Sequence, residues 1–272
     1  MQSIDHATQD GASSAGAVRV LYRGLSLLRA FEPDNNWNSN ADLAAKTGLP
    51  KATVSRLTAN LTSAGYLAYS PERAAYRLAA SVLALGYLAH LSQDLATTAR
   101  PLMQDFADQQ QASVVLAALD GDAMVCQVVA HGSAMLMALR VHPGSRLDIL
   151  TSALGRAMVG ALPQAERSTL LERLAQRASV APAVFERRAA IAVQEMQARR
   201  FCIATSSLQH GVNGVATTVD GPNARPVCAI GCAAPESQLD LARIESDLGP
   251  ALLRLKQSIE AALSRPAVAQ VA

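Results

Sequence analysis

Several features are scarce or absent in this 272-residue chain. Aromatic residues make up 4% of it, so a core must be built mainly from Leu, Val and Ala. No apolar run reaches the roughly 18 residues that a membrane-spanning helix needs. The cysteines form no C-x-x-C pair and lie in apolar segments, which favours buried thiols over a metal site or a disulfide framework. They are Cys126, Cys202, Cys228 and Cys232.

Lys and Arg are absent from residues 1–17, which carry two acidic side chains and lack the apolar run of a signal peptide. We therefore expect a disordered leader over 1–17, a short tail over 267–272, and a cytoplasmic protein that does not enter the membrane. Half of the residues are hydrophobic and 17% are charged, which is typical of a globular protein with a sizeable core.

Acidic residues are also absent from residues 43–71, which carry Lys46, Lys51 and Arg56. The net charge of +2 lies entirely in the first third of the chain. Residues 1–80 hold eight basic and six acidic side chains, and the remainder holds sixteen of each. A local basic surface of this kind is typical of a domain that binds DNA.

The first helix is predicted over residues 18–31, where apolar residues recur at helical spacing. The polar run 33–36, which contains proline, ends it. Asn40 is then predicted to cap a second, short helix over residues 41–47, with Gly48 as its stop signal.

A third helix is predicted to begin at Pro50, which suits the first helical position, and to continue to Gly65. Two short helices joined by a turn that contains Gly48 have the spacing of a helix-turn-helix. Residues 66–78 follow as two β-like pieces around a turn, which predicts a hairpin, or wing.

The third helix has one polar and one apolar face. Helical geometry places Val54, Leu57 and Leu61 toward the core. On the other side, Arg56 can contact a guanine edge and Asn60 an adenine. A solvated helix face is the alternative, but the helix spacing, the acid-free stretch and the hairpin together favour DNA. Phosphate contacts are expected from Lys51, Thr53 and Ser55, and the hairpin adds Arg73 to the predicted DNA-binding residues.

Residues 80–98 are predicted to form an apolar linker helix whose excess apolar surface serves dimerisation. Beyond it, residues 99–266 predict an α+β domain with an antiparallel sheet of about six strands. The strands are expected at 113–119, 123–129, 134–141, 201–207, 214–220 and 226–233. The helices are expected at 102–110 and near 152–161, 164–177, 186–199 and 238–264.

At this point the sequence resembles the isocitrate lyase regulator (IclR) family of bacterial transcription regulators. The most specific segments are GLPKATVSRL and TSALGRAMVGALP, and the similarity extends from Val18 to the closing helix. The resemblance implies a winged helix-turn-helix, a linker helix and a GAF-like effector domain. It also implies a nucleoid-associated protein that binds palindromic operator DNA as a homodimer or a pair of dimers. Arg23 first, and Arg19 second, would lie near the DNA backbone and minor groove.

The resemblance further implies a small organic effector, an acid or an aromatic, that binds beside the start of the helix near 152–161. Free N–H groups there can bind a carboxylate, although an ordinary helix cap is the alternative. Arg140 is a second candidate partner for a carboxylate, or else a solvated residue at a strand end. The predicted effector residues are Thr151, Ser152, Ala153, Leu154, Gly155, Ala204, Thr205, Ser206, Val212, Gly214, Gly231 and Ala233.

Four of these positions depart from the family. Ala204, Gly214, Gly231 and Ala233 are small and apolar where relatives often carry an acidic residue, a cysteine or serines. We therefore expect a larger, partly aromatic effector rather than a very small polar acid such as glyoxylate.

Two other classes of function stay open at this stage. One is a DNA-binding protein whose second domain only oligomerises, and the other is an enzyme fused to a helix-turn-helix. The chain lacks G-x-S-x-G, P-loop, H-E-x-x-H and G-x-G-x-x-G motifs, so no catalytic residue, cofactor or metal is predicted. Its five histidines are scattered without ligand spacing.

Overall fold

The boundary between the two structural units of the chain, Met1–Ala89 and His90–Ala272, falls inside the predicted linker at 80–98. No helix in the described part of the chain is long and apolar enough to cross a membrane. The computed structural model describes residues 9–32, 36–91, 94–134, 139–177, 181–205, 211–221 and 225–264.

The first unit is a small helical domain with a two-stranded hairpin, as predicted. Its core is formed by Leu27, Leu43, Val54, Leu57 and Leu67, one or two from each packed element. Its elements are α1 (Gln9–Leu28), α2 (Asn40–Thr47), α3 (Lys51–Ser63), β1 (Leu67–Ser70), β2 (Ala75–Leu78) and α4 (Ala80–Leu91).

The first helix begins earlier than predicted. It starts at Gln9, so residues 9–17 are helical rather than part of a disordered leader, while residues 1–8 lie outside the described range. The added stretch is rich in Ala and Ser and contains no proline, so a helix formed over residues 18–28 can extend toward the N-terminus at little cost.

The cap of α2 is Ser39, and the prediction of Asn40 was wrong by one residue. Ser39 has extended backbone angles, its hydroxyl accepts from Asp42 N at 3.2 Å, and its own N donates to Asp42 Oδ2 at 2.9 Å. This is a capping box, which satisfies two helix-end donors reciprocally. Gly48 ends the helix in the left-handed region at φ 67°, as predicted. Pro50 likewise precedes α3 as its cap residue instead of beginning it.

The second unit is an α+β domain built on a six-stranded antiparallel sheet. Its elements are α5 (Asp94–Gln110), β3 (Ser113–Asp120), β4 (Ala123–His131), β5 (Arg146–Asp148), α6 (Ala153–Ala161), α7 (Gln164–Arg177), α8 (Pro182–Arg199), β6 (Cys202–Thr205), β7 (Val212–Asp220), β8 (Pro226–Pro235), α9 (Leu241–Arg243) and α10 (Gly249–Leu263). The strand order in the sheet is β5-β4-β3-β8-β7-β6. Between α9 and α10 the chain forms a π-helical turn, Ile244–Leu248.

Both faces of this sheet are covered. Alternate residues of β3 point to opposite sides, so Val114 and Leu116 join a core with α5 and α10. Val115 and Ala117 join a second core with α6 and α8. The strands are therefore almost continuously apolar, and the side that faces α6 is the side on which the effector residues were predicted.

The edge strand differs from the prediction. Residues 139–141 form no strand, and 135–138 lie outside the described residues. Instead, Arg146–Asp148 pairs with β4 from Ala123 to Val125. A three-residue edge strand with two exposed positions carries too little apolar alternation to be recognised in a sequence.

Helix α5 continues through Pro101, where the sequence predicted a break between the linker and a helix at 102–110. A proline inside a helix costs about 3 kcal/mol. Here Ala99, Met103 and Phe106 are buried on the sheet, so packing on both sides of the proline offsets that cost.

Candidate DNA interface and ligand pocket

The outward face of α3 is exposed as the helical wheel predicted. Arg56 and Asn60 are exposed one helical turn apart, and Ser55 and the small residues Ala52 and Ala59 are exposed beside them. Thr53 is half-buried at the edge of this face. The small side chains next to Arg56 leave room for the helix backbone to approach the floor of a major groove.

The angle between α2 and α3 is fixed by a buried residue that the sequence analysis did not single out. Thr58 is fully buried, and its hydroxyl lies 3.0 Å from Asn40 Oδ1 and 3.1 Å from Val54 O. This bond joins the first residue of α2 to the middle of α3. Asn40 therefore positions the two helices instead of capping one.

The start of α3 is open to an anion. Pro50 supplies no side-chain cap, and the first turn contains no acidic residue. The first N–H groups of a helix lack intrahelical partners and carry partial positive charge. Lys51 is exposed at this end, so the arrangement suits a DNA phosphate.

The basic surface is smaller than the charge count suggested. Lys46 Nζ lies 2.8 Å from Glu32 Oε2 and 3.3 Å from Ala30 O, so its charge is paired within the domain. Within the described ranges, Lys51 and Arg56 have no such ion pair. Lys51 and Arg56 therefore contribute most of the positive electrostatic potential on the exposed face of α3.

The wing carries two arginines, of which the sequence analysis identified only Arg73. The guanidinium groups of Arg73 and Arg77 lie 5.5 Å and 5.1 Å from the ring centroid of Trp37. Backbone bonds between Asn38 and Tyr76 bring that loop against the hairpin. Trp37 is the only tryptophan of the chain, and this was the one feature of the sequence that could have identified it as a residue of interest. Its ring can hold both cations near the wing.

On α1, Arg19 is exposed and Arg23 is half-buried. They precede the buried Leu27 by eight and four residues, so all three lie on one side of the helix. That side is the one through which α1 packs on α2 and α3.

Eight of the twelve predicted effector residues line two separate pockets. The first, the inner cavity, lies between α6 and the sheet and has a volume of about 20 Å³, enough for about one water molecule. Its walls are entirely apolar or small, as expected for Gly214, Gly231 and Ala233. They are Val115, Leu139, Val141, Leu147, Ala153, Leu154, Gly214, Val215, Gly231, Cys232 and Ala233.

The second, the arginine pocket, has a volume of about 230 Å³ and lies where α6, α8 and the end of β6 meet. It contains three predicted residues, Thr151, Ala204 and Thr205. It also contains two arginines that the sequence analysis missed. The full lining is Leu150, Thr151, Arg156, Arg188, Ile191, Ala204 and Thr205.

Ser152 acts as the cap of α6. It is fully buried, its hydroxyl accepts from Gly155 N at 3.1 Å, and it donates to Asp148 O at 2.5 Å. The carboxylate of Asp148 accepts from Leu150 N and from both the N and the hydroxyl of Thr151. Several donors before the helix are thus satisfied internally by an acidic group.

The remaining predicted residues are placed as follows. Gly155 packs against the backbone of Ile149, and Val212 is buried in the core on the α6 side of the sheet. Arg140 is exposed. Ser206 lies outside the described residues. No cluster of three potential metal ligands occurs in the parts of the chain that the structure describes.

Two family models match nearly the whole chain. The IclR helix-turn-helix domain matches residues 20–71, and the bacterial transcriptional regulator IclR C-terminal domain matches residues 87–261. Both describe transcription regulators rather than enzymes.

Individual relatives agree with this match. The HTH-type transcriptional regulator TsaQ1/TsaQ2 of Comamonas testosteroni is 29% identical over 250 residues, covering 92% of this chain and 90% of the relative. An IclR family regulator from Brucella abortus is 34% identical with a TM-score of 0.79, covering 90% of this chain and 92% of the other. A homologue from Microbacterium hydrocarbonoxydans, solved with 4-hydroxybenzoate, shares the fold at 16% identity and a TM-score of 0.68, covering 90% and 98%.

Proposed function

Since this chain belongs to the IclR family of DNA-binding transcription regulators, we propose that it binds a palindromic operator as a dimer or a pair of dimers. We propose further that a small organic effector changes this binding. The observation that carries the first part is the exposed α3 face, where Arg56 and Asn60 lie one turn apart beside small residues, and where the helix start has no side-chain cap. The two pockets of the second unit support the second part.

Two exposed apolar surfaces support dimerisation. On α4, Leu83 is 76% exposed and Leu88 63%. On α1, Leu21 is 63% exposed and Tyr22 68%. Helices that expose large apolar side chains in a soluble domain commonly bury them against another chain. A second copy on these helices would pair two recognition helices for two half-sites, about 34–36 Å apart on the operator.

The small volume of the inner cavity supports a conformational role for the effector. A volume of about 20 Å³ admits no aromatic ring, so a ligand that enters must displace α6 or the sheet. On the other face of the sheet, α5 packs on β3 and β4, and it follows α4 along the chain. We propose that this displacement changes the orientation of the linker and thereby the spacing of the recognition helices. Effector binding and operator binding would then be linked by a coupling free energy.

The aromatic or carboxylate character of the effector rests on two observations. The inner cavity is apolar, whereas the arginine pocket offers cationic side chains. In addition, the homologue from Microbacterium hydrocarbonoxydans was solved with 4-hydroxybenzoate.

Arg56→Ala is expected to weaken operator binding by about 1–3 kcal/mol and to relax base preference at one position of each half-site, because it removes a bidentate contact with a base edge. The measurement is a titration of operator DNA, identified by sequencing the fragments that the purified protein retains, against random DNA. Lys51→Ala is the control and should weaken both DNAs alike, since it removes a phosphate contact. An equal loss on both DNAs for Arg56→Ala would assign it to phosphate.

An effector present at 100 times its Kd is expected to raise the unfolding free energy by about 2.7 kcal/mol, because it binds only the folded state. A thermal-shift screen of organic acids and aromatics measures this rise. Operator binding without a shift for any compound would instead support a DNA-binding protein whose second unit only oligomerises.

A further inference from the structure

We propose that the arginine pocket binds the carboxylate of a monocyclic aromatic acid, and that Arg188 is the direct partner of that carboxylate. The proposal rests on the proposed effector function and specifies its ligand. Three observations carry it: the charge of the pocket, its mixed wall, and its position beside the inner cavity.

The described lining of the pocket carries more positive than negative charge. It contains two guanidinium groups, and no acidic residue is among the described residues that line it. Arg156 is engaged, because its Nη2 lies 2.7 Å from Glu195 Oε2, and the other oxygen of Glu195 lies 2.5 Å from Arg199. Arg188 is exposed on α8 and has no ion pair within the described ranges. It is thus the cation that is available for a bidentate bond with a ligand carboxylate.

The rest of the wall suits an aromatic ring with a polar edge. Leu150, Ile191 and Ala204 supply apolar surface, and Ile191 is 45% exposed although it is a large aliphatic residue. Thr205 is exposed at the end of β6, where its hydroxyl can donate to a ligand. A volume of about 230 Å³ is sufficient for one ring with its carboxylate.

The two pockets are neighbours. Ala204 of the arginine pocket pairs across the sheet with Gly214 of the inner cavity. Thr151 of the arginine pocket stands two residues before Ala153 of the inner cavity. A ring held by its carboxylate at Arg188 can therefore extend along Ala204 toward Gly214, where an added Cβ would make only ordinary contacts. Gly231 is small for a different reason, because a Cβ there would lie 2.7 Å from Val215 O.

The start of α6 is a poorer carboxylate site. The Asp148 carboxylate already accepts from Leu150 and Thr151, and Ser152 is committed to Gly155 N. A second carboxylate there would face the charge of Asp148 as well as the helix end. The helix cap and the arginine pocket therefore have different roles, the first structural and the second ligand-binding.

The test compares benzoate and 4-hydroxybenzoate with benzamide and 4-hydroxybenzamide, which have the same shape but no charge. Calorimetry of the full-length protein is expected to show that the acids bind about 10- to 100-fold more tightly than the amides. Arg188→Gln should remove this preference, so that the acids bind no more tightly than the amides. Arg187→Gln changes an exposed arginine next to it that does not line the pocket, and should leave both affinities unchanged.

Each contrary result has a distinct meaning. Amides that bind the unaltered protein as well as the acids do, or an Arg188→Gln protein that keeps the preference for acids, overturn the assignment of Arg188. Acids that bind neither protein overturn the ligand class. In both cases the proposed effector function is still supported if any other compound changes the affinity for operator DNA. A parallel titration of operator DNA measures this affinity.

Discussion

Replacing Gly155 by alanine is expected to destabilise the second unit by about 3 kcal/mol or more, at the upper end of what overpacking costs. A Cβ at this position would lie 2.2 Å from Ile149 O and 2.4 Å from Ile149 Cα. Both atoms belong to the backbone, so no side-chain rotation can relieve the clash. Either α6 or the loop before it must move, and the packing of Leu154 and Met158 on the sheet moves with it.

The measurement is thermal unfolding of the full-length protein. A loss of about 3 kcal/mol corresponds to a fall of about 6–12 °C in the Tm of a unit of this size. Gly214→Ala is the matched control, because a Cβ there finds its nearest neighbours at 3.5–3.7 Å, which is ordinary contact. It should leave the Tm unchanged or raise it slightly, since alanine restricts the unfolded chain. Equal Tm values for the two variants would contradict the argument.

The structural features that could be predicted from the sequence were those determined by residues close together in the chain. The exposed face of α3 follows from helical periodicity within thirteen residues, and the hairpin follows from its turn, so both were confirmed. The left-handed stop at Gly48 was equally local. The cap of α2 was missed by one residue because Ser39 and Asn40 are both good cap residues, and only backbone geometry distinguishes them.

The ligand pocket shows the opposite case. The arginine pocket brings together Thr151, Arg188 and Thr205, which belong to three elements far apart in the chain. No rule based on residue spacing in the sequence predicts that Arg188 of α8 lies beside Thr205 at the end of β6. Ser152 illustrates a different difficulty, because a serine before a helix has the same pattern whether it caps the helix or binds a ligand. Its hydrogen bond to Gly155 N is what identifies the cap.

Alkaline pH is expected to unfold the second unit, because its four cysteines are buried. All four side chains are at most 4% exposed. Burial raises the pKa of Cys126, Cys228 and Cys232 from about 9 to about 12, and it raises the pKa of Cys202 as well. The reason is that a thiolate loses its hydration inside the core.

The sign follows from proton binding. Below pH 9 the thiols are protonated in both states and contribute nothing to the pH dependence. Between pH 9 and 12 the unfolded chain releases these protons while the native protein retains them, so stability falls as the pH rises. Each thiol contributes about 1.4 kcal/mol per pH unit, or about 2 kcal/mol at pH 10.5. Four thiols then lower stability by about 8 kcal/mol, comparable to the 5–15 kcal/mol of a typical domain.

Urea unfolding at pH 7, 9 and 10.5 measures this slope. Cys126→Ala is expected to be less stable at pH 7 but to lose about 1.4 kcal/mol less per pH unit above 9, since one titrating group is gone. Val128→Ala, in the same strand and equally buried, should be destabilised at every pH with the slope unchanged. A Cys126→Ala slope equal to that of Val128→Ala, or native thiols that react with Ellman's reagent at pH 8, would refute the assignment of the alkaline transition to the buried thiols.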